Sequence, residues 1–147
     1  TPGTRRRPVS SAIIQIAEDV AAKVNAIQFD GTALVAVVDL APDFDLAKIK
    51  ERRIVVSPQS YVRTNIARGE SGSSAKINVC VCEKITFSQI ADRLDLVETI
   101  ARGLERQQLA GAGALVTSVE FDPVYDANLL RSMHVFVSVC TITVKVI

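Results

Sequence analysis

The sequence predicts an α+β domain: a mostly antiparallel sheet of four to five strands, two helices packed on one face, and a protruding long hairpin. Three observations carry that expectation. Two stretches repeat apolar residues at the three-and-four spacing of an amphipathic helix, and several β-branched runs sit between turn residues. The expected order, α-β-(short α)-β-β-α-β-β, has few crossovers, which favours antiparallel pairing with the helices on one side.

The elements follow in order. Residues 1–8 carry two prolines, a glycine and Arg5-Arg6-Arg7, and read as a flexible basic arm ahead of one domain over 9–147. A first helix begins at Ser10, with Ile13, Ile16, Ala17, Val20, Ala21 and Val24 as its apolar stripe, and Asp30-Gly31 supplies turn chemistry after it. Leu34 to Leu40 is a strand. Leu46-Ala47-Lys48-Ile49-Lys50 is a helical turn that Asp43 or Asp45 caps. Arg53 to Ser57 is a second strand, which Pro58 is expected to stop, and Lys76 to Glu83 is a third. The polar residues 58–74 between them are expected to form the long hairpin.

The second helix is expected from about Ser88 to Ala110. Ile90, Leu94, Val97, Ile100, Ala101 and Leu104 form its buried face, Glu98 and Arg102 an outer i,i+4 pair, and Gly111 with Gly113 its end. Leu115 to Asp122 and Val135 to Ile147 complete the sheet. On the last strand Val135, Val137 and Val139 point one way, and Phe136, Cys140, Ile142 and Val144 the other. A strand apolar on both faces calls for cover on both, from this chain or from a neighbour.

Composition narrows the function classes. At 147 residues, 48% apolar and 22% charged, the chain is long enough for one packed core and is not dominated by disorder. A net charge of +1 argues against a dedicated nucleic-acid binder, which depends on many cation–phosphate contacts. Cys80, Cys82 and Cys140 lie in strand-like apolar runs and read as reduced thiols. The apolar runs are too short for a membrane span, and Glu18, Asp19 and Lys23 interrupt any secretory h-region. The expectation is an intracellular chain lacking only an initiator methionine.

Each candidate for chemistry has a plainer reading. His134 has no second histidine to join it in a metal site, and reads as a satisfied surface histidine. The three cysteines lack a fourth soft ligand and read as small buried hydrophobes. The run from Gly69 to Lys76 is superficially like a phosphate loop, but it lacks adjacent Gly-Lys-Ser/Thr and leads into a strand rather than a helix. Asp39, Asp43, Asp45, Asp122 and Asp126 lack calcium-loop spacing and suit turns and caps. Arg5-Arg6-Arg7 reads as a solvated arm. No catalytic residue, cofactor site or metal site is assigned, and no enzyme is expected.

The segment Ser57 to Ser74 differs from these, because Tyr61, Val62, Arg63, Ile66, Arg68 and Glu70 give a polar stretch the composition of a contact surface. An interface and an ordinary solvated hairpin both stay open there.

Four stretches carry a family likeness. They are Asp43-Phe44-Asp45-Leu46, Ile54-Val55-Val56-Ser57-Pro58, Asp122-Pro123-Val124-Tyr125-Asp126 with Leu130-Arg131, and Phe136-Val137-Ser138-Val139-Cys140-Thr141-Ile142-Thr143. With a helix at the start and a long second helix, the chain resembles the tail terminator group, the small tail-completion proteins of the neck of tailed bacteriophages. The resemblance implies a homo-oligomeric ring, usually a hexamer, that caps the tail tube protein and ends tube polymerisation. It implies a docking surface for the head through head-side connector or stopper proteins, and, in contractile tails, contact with the sheath protein. DNA would be a partner only as the genome passing through the lumen, and no membrane is involved. The protein would sit in the virion after assembly in the host cytoplasm. A head-completion or stopper protein is the nearest alternative. Outside that class stand a small nucleic-acid-binding module using Arg5, Arg6, Arg7, Arg63 and Arg68, and an enzyme with a small-molecule site.

Overall fold

The computed structural model describes residues 11–41, 49, 51–67, 70–109, 111 and 113–146, with only the backbone described for residues 64–67, 70 and 71. The expected arm and the expected helical turn at Leu46-Ala47-Lys48 lie outside the described residues. Among them the fold is mixed α+β: three helices, a six-stranded sheet and a separate two-stranded one. The four to five strands expected from sequence are therefore too few.

Helix α1 (Ala12–Asn25) starts where the Ser11 hydroxyl accepts from the Ile14 amide at 3.2 Å, satisfying one of the orphan donors of the first turn. Its stripe of Ile16, Ala17, Val20, Ala21 and Val24 is buried as expected. Asp30 and Gly31 then adopt positive φ (53° and 76°), the pair of left-handed residues that a two-residue hairpin needs. They join β1 (Gln28–Phe29) to β2 (Thr32–Ala33).

The strand expected over Leu34 to Leu40 shortens to β3 (Ala36–Val38), which pairs in parallel with β4 (Arg53–Ala67). The Asn25 side chain takes the place of a further strand: its Oδ1 accepts from the Ala36 amide at 2.6 Å and its Nδ2 donates to the Ala36 carbonyl at 3.3 Å. Val35 and Val37 are exposed beside it.

Pro58 does not stop the second strand. β4 runs on, antiparallel to β5 (Glu70–Lys84), until Ala67 pairs with Glu70. Residues 58–67 and 70–74 are thus paired strand rather than loop. Proline is tolerated at a sheet edge or a bulge, and both conditions hold. β3 covers β4 only as far as Val56, and the register shifts between Pro58 and Ser60.

Helix α2 (Ile90–Leu104) follows a 3-10 turn, Phe87–Gln89, in which Thr86 and Gln89 form a reciprocal capping box. Gly103 lets Ile27 approach, since a Cβ there would stand 2.5 Å from Ile27 Cδ1. The helix ends six residues before the expected Ala110. Glu105 turns to an extended ψ of 130°, and Arg106 takes a left-handed φ of 58°. The chain then re-enters the core as β6 (Gln108–Leu109), with Leu109 buried. Burial of Leu109 on a strand overrides the helical preference of residues 105–110. Leu96 joins Val97, Ile100 and Leu104 as a fully buried residue, while the expected Leu94 is only half-buried.

β7 (Ala114–Phe121) and β8 (Val135–Val146) close the sheet in the order β3-β4-β5-β8-β7-β6. Between them lies a helix the sequence reading missed, α3 (Ala127–Met133), capped by the Asp126 carboxylate, which accepts from Asn128 and Leu129 amides at 3.0 Å. At seven residues it is too short to show a periodic stripe. The face formed by Ile54, Val56, Ile77, Val79, Val81, Cys140, Ile142 and Val144 shares one core cluster with both α1 and α2.

Replacing Leu104, fully buried in that cluster, with alanine should cost about 2–5 kcal/mol of stability in urea unfolding. An unchanged midpoint would show the site collapses freely.

Candidate interaction surfaces

The residues weighed for chemistry are placed as follows. His134 is the left-handed C-cap of α3, exposed, with its ring 5.6 Å from that of Phe87 and its amide bonded to the Leu130 carbonyl at 3.0 Å. Cys140 points to the helix-covered face, whereas Cys80 and Cys82 lie on the opposite face, so the three thiols do not converge. No group of three His, Cys, Asp or Glu able to hold a metal occurs among the described residues. Asp39 accepts from the Ala41 amide at 3.0 Å and Asp126 caps α3; they stand at opposite edges of the sheet. Gly72 to Lys76 is a paired stretch of β5, with no helix terminus after it.

Cys80 and Cys82 are a pair, their sulfurs 3.6 Å apart. The contact between the two thiols lowers the pKa of Cys80, and the same contact, with burial, pushes that of Cys82 up. Burial alone pushes Cys140 up to about 12. A thiolate is the reactive form, so alkylation of the folded protein at pH 8 should modify Cys80 first, with Cys82 and Cys140 reacting only on unfolding. Equal rates at all three would overturn this order.

The likeness-bearing run from Asp122 to Asp126 is a connector hydrogen-bonded to β8. The Asp122 amide donates to the Val139 carbonyl at 3.0 Å, the Pro123 carbonyl accepts from the Val139 amide at 3.1 Å, and the Asp126 amide donates to the Val137 carbonyl at 3.2 Å. Tyr125 stacks on Phe136 with ring centres 6.1 Å apart, and Arg131 donates to Asn128 at 2.8 Å. Asp43, Phe44 and Asp45, the other part of the likeness, fall outside the described residues.

Sequence reasoning missed a buried carboxylate. Glu83, at the end of β5, receives Arg52 Nε at 2.6 Å on one oxygen and Arg93 at 2.6 and 2.5 Å on the other. Arg93 also contacts Asp92, and Arg52 lies over the Phe29 ring at 5.6 Å. Arg52, 31 residues from Glu83, and Arg93, ten residues from it, meet at one point, and neither spacing is one that a helix or strand period marks. Glu83→Gln, which leaves two cations facing a neutral group, should cost about 3–5 kcal/mol in chemical unfolding. A loss below 1 kcal/mol would mean that water serves those cations as well as Glu83 does.

Two surfaces among the described residues combine exposed apolar groups with unpaired charge. On β4, Tyr61 (37% exposed), Val62 (53%) and Arg63 follow one another at the open outer edge, and Tyr61 and Arg63 share a face. Arg63 has no ion-pair partner among the described residues. The side chains of Ile66 and Glu70 are not described, and Arg68 lies outside the described residues, so of the six residues expected at this surface the structure places the side chains of three, Tyr61, Val62 and Arg63.

At the other side of the sheet an open groove of about 490 Å³ runs between α2 and the end of β7. Leu94, Val97, Ala101, Phe121 and Val124 floor it, and Glu98, Arg102 and Glu105 form its rim. The expected two-sided apolar character of β8 is confined to one end. Val137 and Val139 are half-buried on the outer face, but Thr141, Thr143 and Lys145 continue it as polar. No helix among the described residues is long and apolar enough to cross a membrane.

Compared with models of known protein families and with curated proteins, the chain matches none.

Proposed function

We propose that this chain is a structural protein of the neck of a tailed bacteriophage, a tail terminator. It forms a homohexameric ring on the end of the tail tube, stops tube growth and presents the surface on which the head docks. The likeness in the runs at Ile54–Pro58, Asp122–Arg131 and Phe136–Thr143 motivates the reading. The observation that carries it is the placement of the two free surfaces. The edge patch on β4 and the groove at α2 and β7 lie toward opposite edges of one sheet, separated by β5 and β8. Two different patches at opposite edges suit heterologous contacts, and such contacts close into rings when the rotation between subunits permits.

Partners on this reading are further copies of the chain, the tube protein, the sheath protein in a contractile tail, and head-side connector proteins. The genome passes through the lumen without a sequence-specific contact, as the near-neutral charge of +1 suits.

The test is electron microscopy of tube protein from the same genome polymerising with and without the purified chain. Rings on tube ends and shorter tubes are expected. Tubes of unchanged length with bare ends would overturn the reading.

A further inference from the structure

We infer that the groove between α2 and β7 is the receptor for the β4 edge of a second copy of this chain, with Tyr61 seated on its apolar floor and Arg63 paired with Glu105. The inference rests on the ring reading and names the contact that builds the ring.

Three observations carry it. The first is what the groove offers. Its floor is apolar, and Val124 is 44% exposed there, a surface that the chain does not cover among the described residues. The second is charge. Of the three rim residues, Glu98 and Arg102 answer each other at 3.5 Å, whereas Glu105 has no ion-pair partner among the described residues. The groove therefore presents one unanswered carboxylate beside apolar surface. The third is the β4 edge, which presents the complement: one unanswered cation two residues from an exposed aromatic ring, about 7 Å apart along the strand. Tyrosine and arginine are the residue types that carry most binding energy at interfaces.

The two surfaces cannot meet within one molecule. β5 and β8 lie between β4 and β7, so the edges are three strand spacings apart, about 14 Å, before any offset along the strands. Phe121 pairs with Cys140, which lies opposite Val79, four residues along β5 from the Ala75 that pairs with Tyr61. That adds about 13 Å in the strand direction. Only a neighbour can supply the partner. The contact is head-to-tail, leaving each copy one free groove and one free edge until a ring closes.

Charge exchange tests such a contact, and size gives its geometry: a two-fold contact using both patches would stop at a dimer, whereas a head-to-tail contact adds further copies and forms species larger than a dimer. Arg63→Glu spoils the edge and keeps the groove; Glu105→Arg spoils the groove and keeps the edge. Mixed in equal amounts, the two variants can alternate so that every junction again joins opposite charges. Arg63 and Glu105 are both exposed, so both variants should fold, which urea unfolding checks.

Sedimentation at low salt, with the full chain up to millimolar concentration, is the measurement. Wild type should self-associate, each variant alone should associate about tenfold or more weakly, and the mixture should recover the wild-type strength. Tyr61→Ala should weaken association without rescue by either charge variant. A wild-type chain that stays monomeric throughout, or variants that associate normally, or a mixture no stronger than its parts, would each overturn the proposal. The outcomes separate from the neck reading. A chain that associates by this contact and leaves tubes bare keeps the contact and removes the neck role. Capped tubes with Glu105→Arg still associating normally do the reverse.

Discussion

The register between β5 and β8 is the constraint on which the rest of this structure depends. Twelve pairs, from Ser73 with Val146 to Lys84 with Val135, lock two long strands side by side. Side chains alternate with period two, so this register decides which residues meet the helices. Ala75, Ile77, Val79 and Val81 line up with Val144, Ile142, Cys140 and Ser138 on the covered face. A slip of one residue would put Lys76 and Asn78 beneath α1 and α2 and leave the helical stripes facing polar groups. The buried Ser138 hydroxyl, which has no hydrogen-bond partner in the structure, is the single polar atom that this register forces into that row.

At one end of the sheet the packing changes from apolar to ionic. Ile85, Val97, Leu130 and Phe136 form a smaller cluster there, and Glu83 beside it holds Arg52 and Arg93. A buried carboxylate is costly unless its oxygens are all answered, and two arginines answer both. Because the three partners precede β4, end β5 and open α2, their meeting sets where the helix starts relative to the sheet. It also keeps that end of α2 in place while its other end, with Glu98 and Glu105, borders the open groove.

The surfaces left over are what a sheet with unequal strands creates. β4 and β5 extend well beyond β3, which covers only Ile54 to Val56, so most of the outer edge of β4 has no strand beside it among the described residues. A long exposed edge invites pairing with another chain unless charge or proline discourages it. β4 carries Pro58, a register shift and Arg63 along that edge. Such features restrict indiscriminate strand addition while leaving side chains available for a specific contact.

The sequence by itself determined the helices that present an apolar stripe and the strands long enough to alternate. α1, the body of α2, β7 and β8 were legible because each writes its burial into a local period. The Asp30-Gly31 turn was legible because few residue pairs accept positive φ. Tertiary structure decided the rest. It ended α2 at Leu104 because Leu109 is buried as a strand, carried β4 through Pro58 because no strand among the described residues pairs with its outer edge there, and limited β3 to the three residues that pair with Ile54 to Val56. It alone brought Arg52, Glu83 and Arg93 together, and it alone placed the Tyr61 edge and the Glu105 groove at opposite edges of one sheet. These outcomes depend on which remote segments become neighbours, and local periodicity carries no record of that.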